Sequence, residues 1–272
     1  MKKNIKLMGI LNVTPDSFSD GGKFFGRDAL QCVSTTVKNM AVAGADIIDI
    51  GGESSRPGSE PVSVTEELNR VVPVLKALHR KNTIYRVLTS IDTYKPEVAA
   101  AAINLCAKMI NDISGLRNPL MRKIAAKTKC QVVIMHMLGE PHNMQKQPRY
   151  KNVVLDIIKF FQQQIKLAEQ AGVKRKNIII DPGIGFGKTV NHNLEILRNL
   201  NKFKQAFPDL SLLIGASRKS FIGKLTGAAV NNRLPGTLAV HLYAAQHGAD
   251  ILRVHDVTEH RQALFILQKI IA

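Results

Sequence analysis

The chain has 272 residues, of which 45% are hydrophobic and 22% are charged, and its net charge is +17 at pH 7. This composition indicates a globular protein with a large core, and no apolar run approaches the roughly 18 residues of a membrane span. The cationic residues form no run of five or six, and only 5% of residues are aromatic. This pattern argues against nucleic-acid binding and favours the attraction of an anionic substrate.

The three cysteines, Cys32, Cys106 and Cys130, lie far apart and form no C-x-x-C motif. An odd number of distant cysteines argues against a disulfide framework and against a zinc knuckle. The first apolar stretch, residues 7–11, is short for a signal sequence and lacks a cleavage pattern. We therefore expect a cytoplasmic protein that does not associate with a membrane.

Eight short apolar runs alternate with stretches of helical character along the chain. The runs predict strands at residues 6–11, 46–50, 85–91, 109–113, 132–135, 177–180, 212–214 and 251–254. They are rich in Ile, Val and Leu with little alternation, as expected of parallel strands that are buried on both faces. Apolar residues between 68 and 78 recur at helical spacing, and Ser63 or Thr65 would cap that helix. The rhythm predicts one α/β domain over residues 1–272, a (β/α)₈ TIM barrel with its active site at the C-terminal ends of the strands.

Polar residues at the predicted strand ends indicate the chemistry of that site. Asp92 and Asp181 would both point at the mouth of the barrel, and Asn111 adds a donor and an acceptor, whereas Asp112 is expected to turn away. Carboxylates that accept paired N–H bonds suit a ring with an amino-amide edge. A helix cap or a rim ion pair would explain any one of these residues, but it is a weak explanation for three together.

The glycine-rich segment at residues 182–189 imitates a phosphate-binding loop. Pro182 stands where that motif needs its first glycine, and the glycine spacing also misses the dinucleotide-binding pattern. We reject both motifs and interpret the segment as a tight turn that lets a flat ligand approach the backbone. A turn without a ligand is the alternative.

Cationic groups near the last two strands predict an anion site. Lys219 lies at the start of a predicted helix, and Arg253 and His255 end the last strand, which are positions where barrels bind phosphate. Arg56 adds a clamp and Asn12 a magnesium ligand, because Mg²⁺ at a diphosphate usually has few protein ligands. The chain has no paired-histidine motif, so a tightly held zinc is not expected.

Eight stretches that contain these residues together resemble the dihydropteroate synthases, a family of pterin-binding TIM barrels. They span essentially the whole chain in order: residues 8–22, 49–58, 90–93, 110–115, 135–137, 181–188, 217–220 and 253–256. The resemblance implies a transferase of folate (tetrahydrofolate) biosynthesis and a target of sulfonamides. It would condense (7,8-dihydropterin-6-yl)methyl diphosphate with 4-aminobenzoate to give 7,8-dihydropteroate and diphosphate. A homodimer is also the expectation for this family.

The resemblance implies roles for individual residues as well. The residues implied for pterin binding are Asp92, Asn111, Asp181 and Lys219, with Met135, Phe186 and Gly215 as pocket walls and Arg253 stacked on the ring. Those implied for the diphosphate are Arg253, His255, Asn12, Ser55 and Arg56, and Asn12 is also the implied Mg²⁺ ligand. Those implied for 4-aminobenzoate are Phe18, Pro57 and Ser220. The predicted catalytic residues are Lys219, Arg253, His255 and Asp92.

One position departs from the family. Ser55 stands where the family usually has Thr, so the hydroxyl is kept and a methyl is lost.

Two other functions fit part of the chain. A pterin-binding methyltransferase uses a similar barrel, but it would not need the loop at residues 54–57 or the cluster at 217–219. A basic nucleic-acid-binding barrel is the alternative from another class, and it would lose affinity steeply with added salt.

Overall fold

A computed structural model of the chain describes residues 5–14, 27–56, 58–79 and 87–271. Eight parallel strands form a closed barrel in chain order, from β1 to β8 and back to β1. The strands are β1 (Lys6–Asn12), β2 (Ile47–Gly51), β3 (Leu88–Asp92), β4 (Met109–Asp112), β5 (Gln131–Met135), β6 (Ile178–Asp181), β7 (Ser211–Ile214) and β8 (Ile251–Val254). The predicted TIM barrel is therefore confirmed, and seven predicted strands lie within one or two residues of those observed. The third begins at Leu88 rather than at 85, and residues 80–86 lie outside the described part.

Helices surround the barrel. Within the described ranges they are α1 (Arg27–Val42), α2 (Val64–His79), α3 (Pro96–Leu105), α4 (Pro119–Thr128), α5 (Val153–Gln170), α6 (Val190–Arg198), α7 (Leu200–Ala206), α8 (Ser220–Thr226), α9 (Leu234–Gln246) and α10 (Val257–Ile270). Short polar side chains begin several of them: the hydroxyl of Ser63 accepts the N–H of Glu66 at the start of α2, and Asn152 accepts the N–H of Leu155 in α5. Ser63 is thus the cap of the second helix.

The inside of the barrel consists of two different layers. Near its N-terminal end, one apolar side chain from each strand fills the interior: Met8, Ile47, Leu88, Met109, Val133, Ile179, Leu213 and Ile251. Because side chains alternate between the two faces of a strand, the next inward position is two residues further on. Five of those eight positions carry polar residues, Asp49, Ser90, Asn111, Asp181 and Arg253, and the other three carry Ile10, Met135 and Gly215. The core is therefore apolar at one end of the barrel and polar at the end where the βα loops begin.

Candidate active site

The predicted strand-end residues divide between the two faces of the sheet. Asn111 and Asp181 face the barrel interior, where Asn111 Nδ2 donates to Asp49 Oδ2 at 2.9 Å. Asp112, the next residue on β4, faces the helices, and its carboxylate accepts the N–H groups of Ser114 at 2.7 Å and Leu116 at 3.0 Å. The prediction that Asp112 turns away from the barrel is confirmed, and its carboxylate organises the loop after β4.

Arg253 is the centre of the polar layer. Its Nε donates to Asp49 Oδ2 at 2.7 Å, and its Nη2 donates to Asp92 Oδ2 at 2.6 Å. The guanidinium therefore joins β8 to β2 and β3 across the barrel, and its plane is fixed by two charge-assisted hydrogen bonds. Asp49 was not among the predicted site residues. It is fully buried and contacts both Arg253 and Asn111, and the signal for it was a carboxylate in the middle of an apolar strand.

Burial disfavours the charged form of the carboxylates in this layer. Burial, with nearby Asp49 and Glu67 acting in the same direction, raises the pKa of Asp92 to about 7 against the opposing effects of Arg253 and Lys219. Burial likewise raises the pKa of Asp181 to about 6, against the hydrogen bond from the N–H of Gly183. A desolvated carboxylate gains most from a ligand that brings N–H donors to it.

Two oxygens in the layer are unsatisfied. Within the described residues, Asp49 Oδ1 and the hydroxyl of Ser90 are buried and have no hydrogen-bond partner. Buried polar atoms are rarely left unpaired, because the loss of water costs about 1–3 kcal/mol for each group. The layer is therefore polar but not fully paired within itself.

The glycine-rich loop after β6 forms one wall of the site. Asp181 Oδ1 accepts the N–H of Gly183 at 2.7 Å, and Gly183 has a φ of +68°. A Cβ on Gly183 would overlap the carbonyl oxygen of His136, so only glycine fits this turn. The turn places Phe186 beneath Lys219, whose Nζ lies 3.9 Å from the ring centroid.

Lys219 is aimed into the site rather than paired. It makes no ion pair among the residues that the structure describes, although it interacts electrostatically with Asp92 and Asp181. Burial lowers its pKa to about 8, with Arg253 acting in the same direction. A desolvated ammonium close to two carboxylates is suited to hold a polar or anionic ligand between them.

Apolar side chains complete the wall near the mouth. Met135 and Phe186, both predicted, pack in one cluster with Ile113, Met137 and Met144, and Tyr94 packs against it. Gly215 lies beside Arg253, because a Cβ there would be 3.6 Å from the Cβ of Arg253. The predicted walls are thus brought together, and the sequence analysis missed Ile113, Met137, Met144 and Tyr94.

The ends of β7 and β8 form a second, cationic part of the site. The hydroxyl of Ser217 accepts the backbone N–H of His255 at 3.2 Å and lies 2.9 Å from its Nδ1. Burial lowers the pKa of His255 to about 4, with nearby Arg253, Arg218 and Arg56 acting in the same direction. The ring is therefore neutral at pH 7 and offers one N–H.

The remaining predicted residues lie at the rim or outside the described part. Arg56 is exposed and Ser55 half-buried in the loop after β2, and exposed Ser220 is the first residue of α8. Phe18 and Pro57 lie outside the described residues.

Comparisons with known proteins identify the family. The sequence model of the pterin binding enzyme family matches residues 8–255. The chain is 45% identical to the dihydropteroate synthase of Escherichia coli (strain K12) over 262 residues, which cover 96% of this chain and 90% of that one. The chain belongs to the dihydropteroate synthase family.

Solved structures agree with this assignment. A Yersinia pestis dihydropteroate synthase in complex with a sulfonamide drug superposes with a TM-score of 0.88 and 44% identity, covering 98% of this chain and 94% of that one. The Xanthomonas albilineans dihydropteroate synthase in complex with 7,8-dihydropteroate gives a TM-score of 0.86 and 39% identity, covering all of this chain and 95% of that one. These relatives support the synthase over the methyltransferase and the nucleic-acid-binding barrel.

The chain is accordingly a transferase of folate synthesis. It condenses (7,8-dihydropterin-6-yl)methyl diphosphate with 4-aminobenzoate to give 7,8-dihydropteroate and diphosphate. None of the helices within the described residues is long and apolar enough to cross a membrane.

The residues near β1 fit the magnesium ion that the dihydropteroate synthase family implies. Among the described residues, no group of three His, Cys, Asp or Glu side chains is arranged to hold a metal ion. An added Cβ on Gly51 would be 3.6 Å from Asn12 Oδ1 and 3.7 Å from Asp92 Oδ2. Asp92 Oδ2 already accepts Nη2 of Arg253, so Asn12 Oδ1 is the hard oxygen here that suits Mg²⁺ bound mainly through a diphosphate.

His136, which the sequence left without a role, faces away from the barrel in this synthase. Its Nδ1 lies 3.0 Å from Nζ of Lys188, which also donates to the carbonyl oxygens of His136 at 3.3 Å and Phe186 at 2.9 Å. Nζ of Lys188 therefore lies among three hydrogen-bond acceptors. The contacts tie the end of the glycine-rich loop to the residue after β5 and hold the backbone of Phe186.

Proposed function

We propose that the polar layer binds the pterin ring and that the ends of β1, β7 and β8 bind its diphosphate. The observation that carries this assignment is the pair of buried carboxylates, Asp92 and Asp181, at inward strand ends, with Lys219 interacting with both. A pterin carries an amino-amide edge whose N–H groups would donate to these carboxylates. Lys219 and Phe186 would cover one side of the ring.

The reaction separates charge, and the cationic residues would stabilise it. The bond between the methylene carbon and the diphosphate oxygen breaks, and the electron pair leaves with the diphosphate. The remaining cation is delocalised into the electron-rich pterin ring. The cations Lys219 and Arg253, and an N–H of the neutral His255 ring, would stabilise the leaving anion, while Arg56 would close over it from the loop after β2.

The amine nitrogen of 4-aminobenzoate then attacks the methylene carbon, and its surplus proton passes to solvent. An aniline nitrogen is almost uncharged, so its attack on the methylene carbon needs little base catalysis. We propose that Phe18, Pro57 and Ser220 form its pocket, and that Ser55 belongs with Arg56 to the diphosphate site. Closure of the loops would exclude water as a competing nucleophile.

Mg²⁺ is a proposed cofactor of this step. Bound to the diphosphate, it would withdraw charge from the leaving group. The amide oxygen of Asn12, which lies next to Gly51, is the protein ligand that we propose.

Pyrophosphate release from the pterin diphosphate tests this assignment, measured with and without 4-aminobenzoate and Mg²⁺. We expect release that depends on both, with 7,8-dihydropteroate detected by mass spectrometry. An Asn111→Leu variant should lose the product, while a matched change on the opposite face of the same strand, Ile110→Leu, should keep it. Equal activity of the two variants would contradict the placement of the pterin ring.

A homodimer and a cytoplasmic location are further proposals. Helix α10 exposes Phe265, Ile266 and Ile270, which are 56%, 57% and 74% exposed, and this apolar surface supports self-association. All three cysteines are free thiols, which suits a reducing compartment. Light scattering after gel filtration tests the homodimer, which a monomeric mass would refute. Cell fractionation tests the cytoplasmic location.

A further inference from the structure

Helix α9 holds the loop after β7 by its backbone. The guanidinium of Arg233 donates to the carbonyl oxygen of Arg218 at 3.1 Å, and the hydroxyl of Thr237 accepts the N–H of Arg218 at 3.0 Å. One turn further along, His241 Nε2 accepts the N–H of Ala216 at 3.0 Å. Arg233, Thr237 and His241 are spaced four residues apart, so they lie on one face of the helix.

His241 continues into a chain of hydrogen bonds that runs in one direction. Its Nδ1 lies 2.8 Å from Nε2 of His260 in α10, and Nδ1 of His260 lies 2.6 Å from the carbonyl oxygen of Asp256. The chain begins at a backbone N–H, which can only donate, and ends at a backbone carbonyl, which can only accept. Both rings must therefore be neutral and carry their proton on Nδ1.

The chain has no place for an additional proton. A proton on Nε2 of His241 would face the N–H of Ala216, and a proton on Nε2 of His260 would face the N–H of His241. Both rings are buried, at 0% and 1% exposure. Burial is also the main reason that the pKa of each lies below its ordinary value; His255 is the other titratable group near His241, and Asp256 and Glu259 oppose the shift at His260.

The two ends of this chain of hydrogen bonds lie next to the proposed diphosphate site. Ala216 precedes Ser217, and Asp256 follows His255, whose side chain contacts Ser217. Arg218, between Ser217 and Lys219, has a φ of +56° and pairs with the carboxylate of Asp256. A left-handed conformation is uncommon outside glycine and persists only where the surroundings enforce it.

We propose that His241 and His260 are positioning residues, which fix the loop at residues 215–219 and thereby Ser217 and Lys219 in their catalytic geometry. This inference rests on the proposed role of that loop in substrate binding. The two neutral rings act as a pair, because Nδ1–H of His241 donates to Nε2 of His260.

A pair of variants at His260 separates positioning from packing. His260→Gln keeps an acceptor for the N–H of His241, whereas His260→Met has a similar size and removes it. We expect kcat/KM for the pterin diphosphate to fall about tenfold in His260→Met, as for a small misplacement of catalytic groups, and to change little in His260→Gln. Hydrogen exchange of the peptide spanning residues 215–219 should become faster in His260→Met alone.

Equal losses in the two variants, with active wild-type enzyme, would overturn the positioning role. Wild-type enzyme without activity would instead refute the proposed function, and the two failures are distinguishable. The wild-type protein also provides a direct test that needs no variant to fold. Nitrogen-15 NMR of the histidine rings should show His241 and His260 neutral with Nδ1–H at pH 6, and an Nε2–H tautomer or a charged ring would contradict the inference.

Discussion

Neighbouring residues at the ends of the barrel strands have different roles according to the face of the sheet that they occupy. Asn111 faces inward and joins the Asp49 and Arg253 network, whereas Asp112 faces outward and organises a turn. Met135 lines the site, whereas His136 secures the loop after β6 through Lys188. The inward groups are partly unsatisfied and the outward groups are paired, which is the difference we expect between groups that bind a ligand and groups that hold the structure.

Removal of Asp49 should have the largest effect, because it belongs to the inward network and also pairs with Arg253. Asp49→Ala leaves the buried guanidinium with one carboxylate and Asn111 without its acceptor. We expect a loss of about 3–5 kcal/mol in the free energy of unfolding, measured by urea denaturation, together with loss of activity. Arg253→Met removes the guanidinium from both Asp49 and Asp92, so the loss in Asp49→Ala/Arg253→Met should be smaller than the sum of the two single losses; additive losses would argue against the pairing.

Asp181→Asn and Lys219→Ala should each lower kcat/KM by roughly 10²–10³-fold while leaving the fold intact. Both groups lie at the proposed pterin edge, and each change removes a charge that is costly to bury. Steady-state pyrophosphate release measures kcat/KM, and melting followed by circular dichroism tests whether the fold is intact. Near-normal rates in either folded variant would break the distinction between inward and outward residues.

The period of two along a strand explains what the sequence could predict and what it could not. It placed Asp92, Asn111 and Asp181 inward and Asp112 outward, because strand ends were visible in the pattern. It did not find Asp49, which the sequence shows only as a single acid within the apolar strand β2. The His241 and His260 pair joins two helices separated by β8, and no local pattern records a contact of that kind.

Asp112→Ala should lower stability much more than activity. Its carboxylate accepts two backbone N–H groups that would be left unpaired, which costs about 1–3 kcal/mol each at a buried position. We expect kcat at saturating substrate to stay close to that of the wild type. The exposed Asp209, which pairs with Arg175, provides a matched control, since Asp209→Ala should cost less than about 1 kcal/mol. An Asp112→Ala variant as stable as this control would remove the structural role.

Substitution of Lys188 should have the smallest effect, which is a change in how the free energy of unfolding depends on pH. Burial lowers its pKa from 10.5 to about 7, so between these values the unfolded chain binds a proton that the folded protein does not. The free energy of unfolding should therefore rise with pH across this window, by as much as about 1.4 kcal/mol per pH unit for this group. Lys188→Met should lose that part of the slope in urea denaturation from pH 7 to 9. Lys219, whose pKa is also lowered, contributes equally to both proteins. An unchanged slope in the variant would mean that the outward ammonium keeps its proton and that the carbonyl oxygens of His136 and Phe186 stabilise a buried charge.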